Sequence, residues 1–167
     1  MKTIIPGDNR SKKNRLIGFL SILCSVFSVI MMGIWVLLFV FAFDLPSGYF
    51  NTLPPLQKMF SDAMGMVLIG AVIGSLIAAL LLIIGGFAIM WKSNWQTISR
   101  IGAYVGLASG IGMLMASCLS IPVSMTFLNI IDAFLRAAFL SIAPIVYVTF
   151  PILILILLRK SPTKANN

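Results

Sequence analysis

The stretch AMGMVLIGAVIGSLIAALLLIIGGFAIMW, from Ala63 to Trp91, contains no charged residue and decides the fold class of this chain. It is longer than the roughly 20 residues that a helix needs to cross a hydrocarbon core about 30 Å thick. A helix satisfies every backbone polar group within the segment, and this run does not alternate polar and apolar residues as a barrel strand does. The stretch therefore predicts a transmembrane helix.

Other uncharged stretches of similar length lie on both sides of it. The four segments without a charged residue are 16–43, 63–91, 101–127 and 137–158. The first is too long for the roughly 7–15-residue core of a secretory signal, so we expect it to remain as a helix. We predict an all-α integral membrane protein with four transmembrane helices in an antiparallel bundle over 16–158. Basic tails flank the bundle at 1–15 and 159–167.

The charges predict an orientation. Of the 12 lysines and arginines, all except Lys58 and Arg136 fall in the two tails and the connection between the second and third helices, which must share one side. Basic flanks are retained in the cytoplasm, so we expect both termini there, in a bacterial inner (plasma) membrane. No stacking aromatic or nucleic-acid motif accompanies the densest basic cluster, at 10–15, and we expect membrane lipids rather than nucleic acid as its partner.

The inventory of reactive side chains argues against catalysis. Histidine and glutamate are absent from the sequence, and Cys24 and Cys118 have no cysteine at two-residue spacing. Hydroxyl groups in the apolar segments therefore lack the usual bases that would activate them. Thiol oxidases, haem-binding bundles and exporters that use a membrane glutamate are excluded on these grounds. We predict that the chain is not an enzyme and has no cofactor or metal site, with bound lipid as the one expected small-molecule companion.

Small residues at four-residue spacing are the clearest positive feature. The predicted helix-packing positions are Gly70, Gly74, Ala78, Gly85, Gly86, Gly102, Gly106 and Gly110. Small residues allow helix backbones to approach and gain van der Waals contact in lipid. A short connection makes the second and third helices neighbours, and matching their depths places Gly86 level with Gly106. Gly70 and Gly74 then remain as candidates for a surface that binds another membrane protein.

The longest connection, 44–62, is predicted on the outer side. Prolines in it oppose a regular helix, and its apolar residues favour packing against headgroups or docking to a partner. The candidate docking residues are Tyr49, Phe50, Leu53, Leu56, Met59 and Phe60.

Two further segments leave alternatives open. After Pro122, residues 123–136 could form an interfacial helix or belong to the third and fourth helices, and Asp132 and Arg136 form a candidate ion pair at helical spacing. In the fourth helix, Pro144 and Pro151 lie on one face, which favours packing kinks over a polar seam.

The expected function follows from the packing surfaces, which are the features left after catalytic and metal-binding side chains are excluded. A small chain with packing surfaces and few reactive groups fits a structural or accessory subunit that binds other integral membrane proteins or itself. A small uncoupled transporter or channel, with the path through one chain or between several copies, is the alternative, because hydroxyls and backbone carbonyls can line a path. A protein that protects the membrane by binding another membrane protein is a third reading.

Overall fold

A computed structural model describes residues 7–42, 55–91, 96–125 and 129–159, and one long helix dominates each range. The helices are α1 (Gly7–Ala42), α2 (Pro55–Trp91), α3 (Gln96–Ser124) and α4 (Ile130–Arg159). Within these ranges the structure contains no strand. All four helices are long and apolar enough to cross a membrane, which confirms the predicted all-helical architecture.

The helices extend beyond the uncharged segments. α1 begins at Gly7 rather than at 16, and α2 begins at Pro55 rather than at 63. A charged residue ends an apolar run but not a helix, because the backbone hydrogen bonds continue through polar sequence. Pro55 suits the first helical position, where its missing N–H would have no partner within the helix. The connection between α1 and α2 is therefore shorter than the predicted 44–62, and Leu56, Met59 and Phe60 lie on the first turns of α2.

The open question about residues 123–136 is resolved by the helix ends. α3 contains Pro122 in its last turn and ends at Ser124, and α4 begins at Ile130. The amide of Ala133 donates to the Asn129 carbonyl at 3.0 Å, which starts the hydrogen-bond ladder of α4. Residues 130–136 are thus the first two turns of α4 and not a separate interfacial helix.

The helices form an antiparallel ring in which each packs against its neighbours in sequence and α4 returns to α1. A buried apolar cluster joins the start of α1 and α3 to the end of α2 and α4. Its members include Ile17, Ile89, Ala103 and Leu158. The amino end of α1 and the carboxyl end of α4 therefore lie at the same end of the bundle.

A second buried cluster fills the bundle centre. Trp35 of α1 is fully buried and packs with Met113 of α3 and with Leu140 and Tyr147 of α4. Its indole Nε1–H donates to the Ser117 Oγ at 3.3 Å, across the ring from α1 to α3. A buried indole N–H needs an acceptor, and this contact supplies it. Trp35 is the largest fully buried side chain in the described helices, and its cluster includes residues from all four of them.

α1 and α2 are joined by a seam of small and hydroxylated residues. The Ser21 hydroxyl donates to the Leu82 carbonyl at 3.0 Å, and the Ser25 hydroxyl donates to the Ala79 carbonyl at 2.9 Å. Between helices in lipid, hydrogen bonds of this kind contribute on average about 0.6 kcal/mol each. They also select one register of α1 on α2.

Candidate functional site

A shallow groove runs along the outer face of the bundle between α2 and α3, near the middle of both helices. It has a volume of about 380 Å³. Its lining residues are mostly small and none is charged: Val67, Gly70, Ala71, Gly74, Val105, Ala108, Ser109 and Gly112. Small side chains on both walls leave the backbones close to the surface, so the groove is accessible to a ligand from outside the bundle.

The floor of the groove is a close helix contact. A Cβ atom added to Gly74 would overlap the Ser109 Oγ, and one added to Gly112 would lie 3.3 Å from the Ala71 Cβ. The Ser109 hydroxyl donates to the Val105 carbonyl at 2.9 Å, so α3 satisfies it internally. The floor therefore presents no polar group in need of a partner.

Gly70 forms an open part of the wall. No atom lies within 4 Å of a Cβ added at this glycine, and the residue is exposed. The structure thus separates two residues that the sequence had grouped: Gly74 lies against α3 within the bundle, whereas Gly70 faces outward. A Cβ atom at position 70 would therefore project into the groove without overlapping another residue.

The predicted depth matching of α2 and α3 is wrong. A Cβ added to Gly86 would lie 2.8 Å from the Gly18 carbonyl oxygen of α1, and one added to Gly85 would overlap Ser99 of α3. Gly86 is therefore not level with Gly106. The register differs because α3 begins at Gln96 rather than at 101, which shortens the connection about which the two helices fold back.

The three glycines of α3 lie against two different helices. A Cβ added to Gly102 would lie 3.1 Å from the Leu82 amide of α2. At Gly106, it would lie 3.5 Å from the Ala78 Cβ of α2 and 3.1 Å from the Pro151 Cγ of α4. Gly110 faces Tyr147 and Val148 of α4 and is buried. This face therefore turns from α2 to α4 along its length, and all three glycines serve contacts within the chain.

The residues of the candidate polar seam of α4 lie on different faces of the helix, some buried and one exposed. Pro144, Tyr147 and Pro151 are buried on one face. Thr149 is exposed, and its hydroxyl donates to the Val146 carbonyl of the same helix at 2.6 Å. The prolines and the tyrosine contribute to the core, as the preferred packing interpretation expects.

Leu56, Met59 and Phe60 lie on the first turns of α2, at the end of the bundle opposite to the start of α1. Tyr49, Phe50 and Leu53 fall outside the residues that the structure describes. Leu56 and Met59 are 66% and 71% exposed, and Phe60 is half-buried. Their docking role stays a prediction.

Asp132 and Arg136 lie one turn apart near the start of α4, the first exposed and the second half-buried. This spacing gives them a common face of the helix. Their ion pair stays a prediction.

The contact surface of α1 on α2 was not among the positions predicted from the sequence. Gly18, Ser21 and Ser25 contact or hydrogen-bond α2, and all three are buried. Their spacing of three to four residues is a recognisable helical stripe of small residues. It could have been found in the sequence had serines been counted beside glycines.

The described ranges contain no group of three or more histidine, cysteine, aspartate or glutamate side chains that could hold a metal ion. Cys24 is buried in α1 and Cys118 is exposed on α3, and both are free thiols.

The chain matches no protein-family model, no curated protein and no solved structure. Its function has to be inferred from the groove and from the distribution of charge.

Proposed function

We propose that this chain is a structural or accessory subunit of a larger membrane assembly, and that the α2/α3 groove binds a transmembrane helix of a partner protein. The open position of Gly70 within this groove is the observation that carries the proposal, since Gly33 and Gly65 are equally open but do not line the groove. Every glycine of the predicted α3 stripe has a neighbour within the chain, but Gly70 has none. A surface glycine at mid-helix costs about 1 kcal/mol relative to alanine in water-soluble hosts, and close approach of another helix would compensate that cost.

The shape of the groove fits a helix. On α2 its walls run from Val67 to Gly74, which is about two helical turns or ~10 Å along the axis. Helices associate in lipid by van der Waals packing over small residues, and an uncharged groove of this length offers such a contact. A rigid helix fills it at lower entropic cost than a flexible acyl chain. The partner is another integral membrane protein or a second copy of this chain.

The charge distribution supports a defined orientation. Arg100 and Arg159 lie at the end of the bundle where α1 begins, and Asp62 and Asp132 lie at the other end. The positive-inside rule then places both termini in the cytoplasm, and a bacterial inner membrane fits this arrangement. The groove lies near mid-bilayer in that orientation, where an apolar surface meets only lipid or another helix.

Replacing Gly70 with leucine is expected to lower the amount of partner recovered with the chain by about tenfold or more. The added side chain occupies the groove, and its Cβ overlaps no other residue, so the bundle itself should remain folded. The measurement is quantitative mass spectrometry of protein purified from native membranes in mild detergent. A second copy as partner would be recognised as an oligomer of this chain.

Gly65→Leu is the matched control, because Gly65 is also on α2 and also has nothing within 4 Å of an added Cβ. It does not line the groove. Equal recovery of the same partners with both variants and with the natural chain would contradict the proposal.

A further inference from the structure

A second cleft opens between the start of α3 and the end of α4, at the basic end of the bundle. Its volume is about 410 Å³, within the roughly 300–1,000 Å³ of sites that hold small molecules. Its lining combines two arginines, one tyrosine and three aliphatic side chains: Arg100, Tyr104, Ile152, Leu155, Ile156 and Arg159. The groove between α2 and α3 shares none of these residues.

The two arginines come from different helices and lie at the same level. The Arg100 Nη2 donates to the Leu158 carbonyl at 3.2 Å, which places its guanidinium beside the last turn of α4. Arg159 follows Leu158 directly and also lines the cleft. Because a guanidinium carries five N–H donors, Arg100 keeps donors for a second acceptor after this contact. The packing of α3 on α4 thus assembles a pair of cations.

The sign of the local charge favours an anion. The carboxyl end of α4 carries a partial negative charge of about half an elementary charge, which alone would repel an anion. Arg100 neutralises this end at the Leu158 carbonyl, and Arg159 adds a further full positive charge. The acidic residues Asp62 and Asp132 lie at the far end of the bundle.

The lining of the cleft changes from charged to apolar along the helix axes. Arg100 and Arg159 lie toward the bundle end, whereas Ile156 and Ile152 lie about one and two turns deeper along α4, respectively. Tyr104 is exposed beside them, as is typical of aromatic residues at the level of lipid headgroups. Arginine pairs phosphate oxygens through two parallel hydrogen bonds. A ligand with a phosphate at one end and a hydrocarbon chain at the other would match both parts.

We propose that this cleft binds one anionic phospholipid, with its phosphate between Arg100 and Arg159 and its acyl chain along Ile152 and Ile156. This site rests on the insertion of the bundle in a membrane but is independent of partner binding at the α2/α3 groove. A negative result for lipid binding in the cleft therefore leaves the proposal of partner binding in the groove standing, and the reverse also holds.

The test is native mass spectrometry of the purified full chain titrated with phosphatidylglycerol, phosphatidylcholine or inorganic phosphate. We expect phosphatidylglycerol to bind at least about fivefold more tightly than phosphatidylcholine, because the two arginines repel the choline cation and one close charge contact is worth about 1 kcal/mol. Arg159→Gln should remove about that factor, and Arg159→Lys should retain part of it because the charge remains. Size-exclusion profiles confirm that each variant is folded, and Arg100 is left unchanged because it also caps α4.

Arg15→Gln is the matched control, since Arg15 is exposed at the same end of the bundle but does not line the cleft. It should change phosphatidylglycerol binding less than twofold. Equal losses for Arg15→Gln and Arg159→Gln would overturn the proposal in favour of diffuse charge attraction. Equal binding of the two lipids would also overturn it. Displacement of phosphatidylglycerol by millimolar inorganic phosphate would reassign the cleft to a soluble anion and overturn the lipid assignment.

Discussion

Replacing Trp35 with alanine is expected to destabilise the four-helix bundle by about 3 kcal/mol, near the lower end for loss of a buried tryptophan. The lower end applies because an unfolded helix in lipid does not expose its indole to water, so loss of packing provides most of the cost. Trp35 is fully buried in a cluster that includes residues from all four helices. Steric trapping in lipid bicelles measures the free energy of unfolding directly.

Trp35→Phe separates packing from hydrogen bonding. It keeps most of the aromatic volume but loses the N–H that donates to the Ser117 Oγ. The Ser117 hydroxyl keeps its own contact with the Met113 carbonyl at 3.0 Å, so no buried hydroxyl is left without an acceptor. We expect Trp35→Phe to cost about 1 kcal/mol. A stability for Trp35→Ala equal to that of the natural chain would contradict the described core.

Gly86→Leu is expected to separate α1 from α2 and to cost about 3 kcal/mol, the upper range for overpacking. An added Cβ would lie 2.8 Å from the Gly18 carbonyl oxygen, and a backbone atom cannot move aside as a side chain can. Moving α1 away would also break the hydrogen bonds from Ser21 and Ser25. The same unfolding measurement in bicelles reports the loss.

Two variants make the result specific to the α1/α2 contact. Gly86→Ala adds only the Cβ and should cost about 1 kcal/mol. Gly65→Leu adds the same side chain on the same helix in open space and should leave stability within about 0.5 kcal/mol. If Gly86→Leu and Gly65→Leu behaved alike, the close crossing at Gly86 would be wrong.

The fold class could be predicted from the sequence because a continuous apolar segment long enough to cross a bilayer satisfies its backbone polar groups by forming a helix. Segment 63–91 ends at Trp91 as α2 does, and polar sequence follows there. The amino ends were harder to predict, because polar sequence before an apolar run can be helical. Pro55 illustrates this, since a proline that opposes a helix interior suits a helix start.

Helix pairing could not be obtained from spacing alone. Gly86 and Gly74 look alike in sequence, yet the first lies against α1 and the second against α3. Which neighbour a glycine meets depends on helix register, and the register depends on where each helix begins. With α3 starting at Gln96, Gly106 lies beside Ala78 rather than at the predicted level of Gly86. Arg100 and Arg159 are far apart in sequence, so their shared cleft appears only in the packed bundle.

The alternative expectation of a small transporter or channel stays a prediction. Trp35, Met113, Leu140 and Tyr147 fill the centre that a path through one bundle would require. The outward groove, by contrast, remains open at Gly70. Association through that groove is therefore the central proposal.

Site-specific photocrosslinking in native membranes tests it most directly. A benzophenone side chain at Ile73, which is exposed and one turn from Gly70, should give a discrete protein adduct on illumination. The same group at Phe139, exposed on α4, should give lipid adducts only. Adding Gly70→Leu should abolish the adduct from position 73. Identical products from the two positions, or a protein adduct from position 73 that persists with Gly70→Leu, would contradict association through the groove.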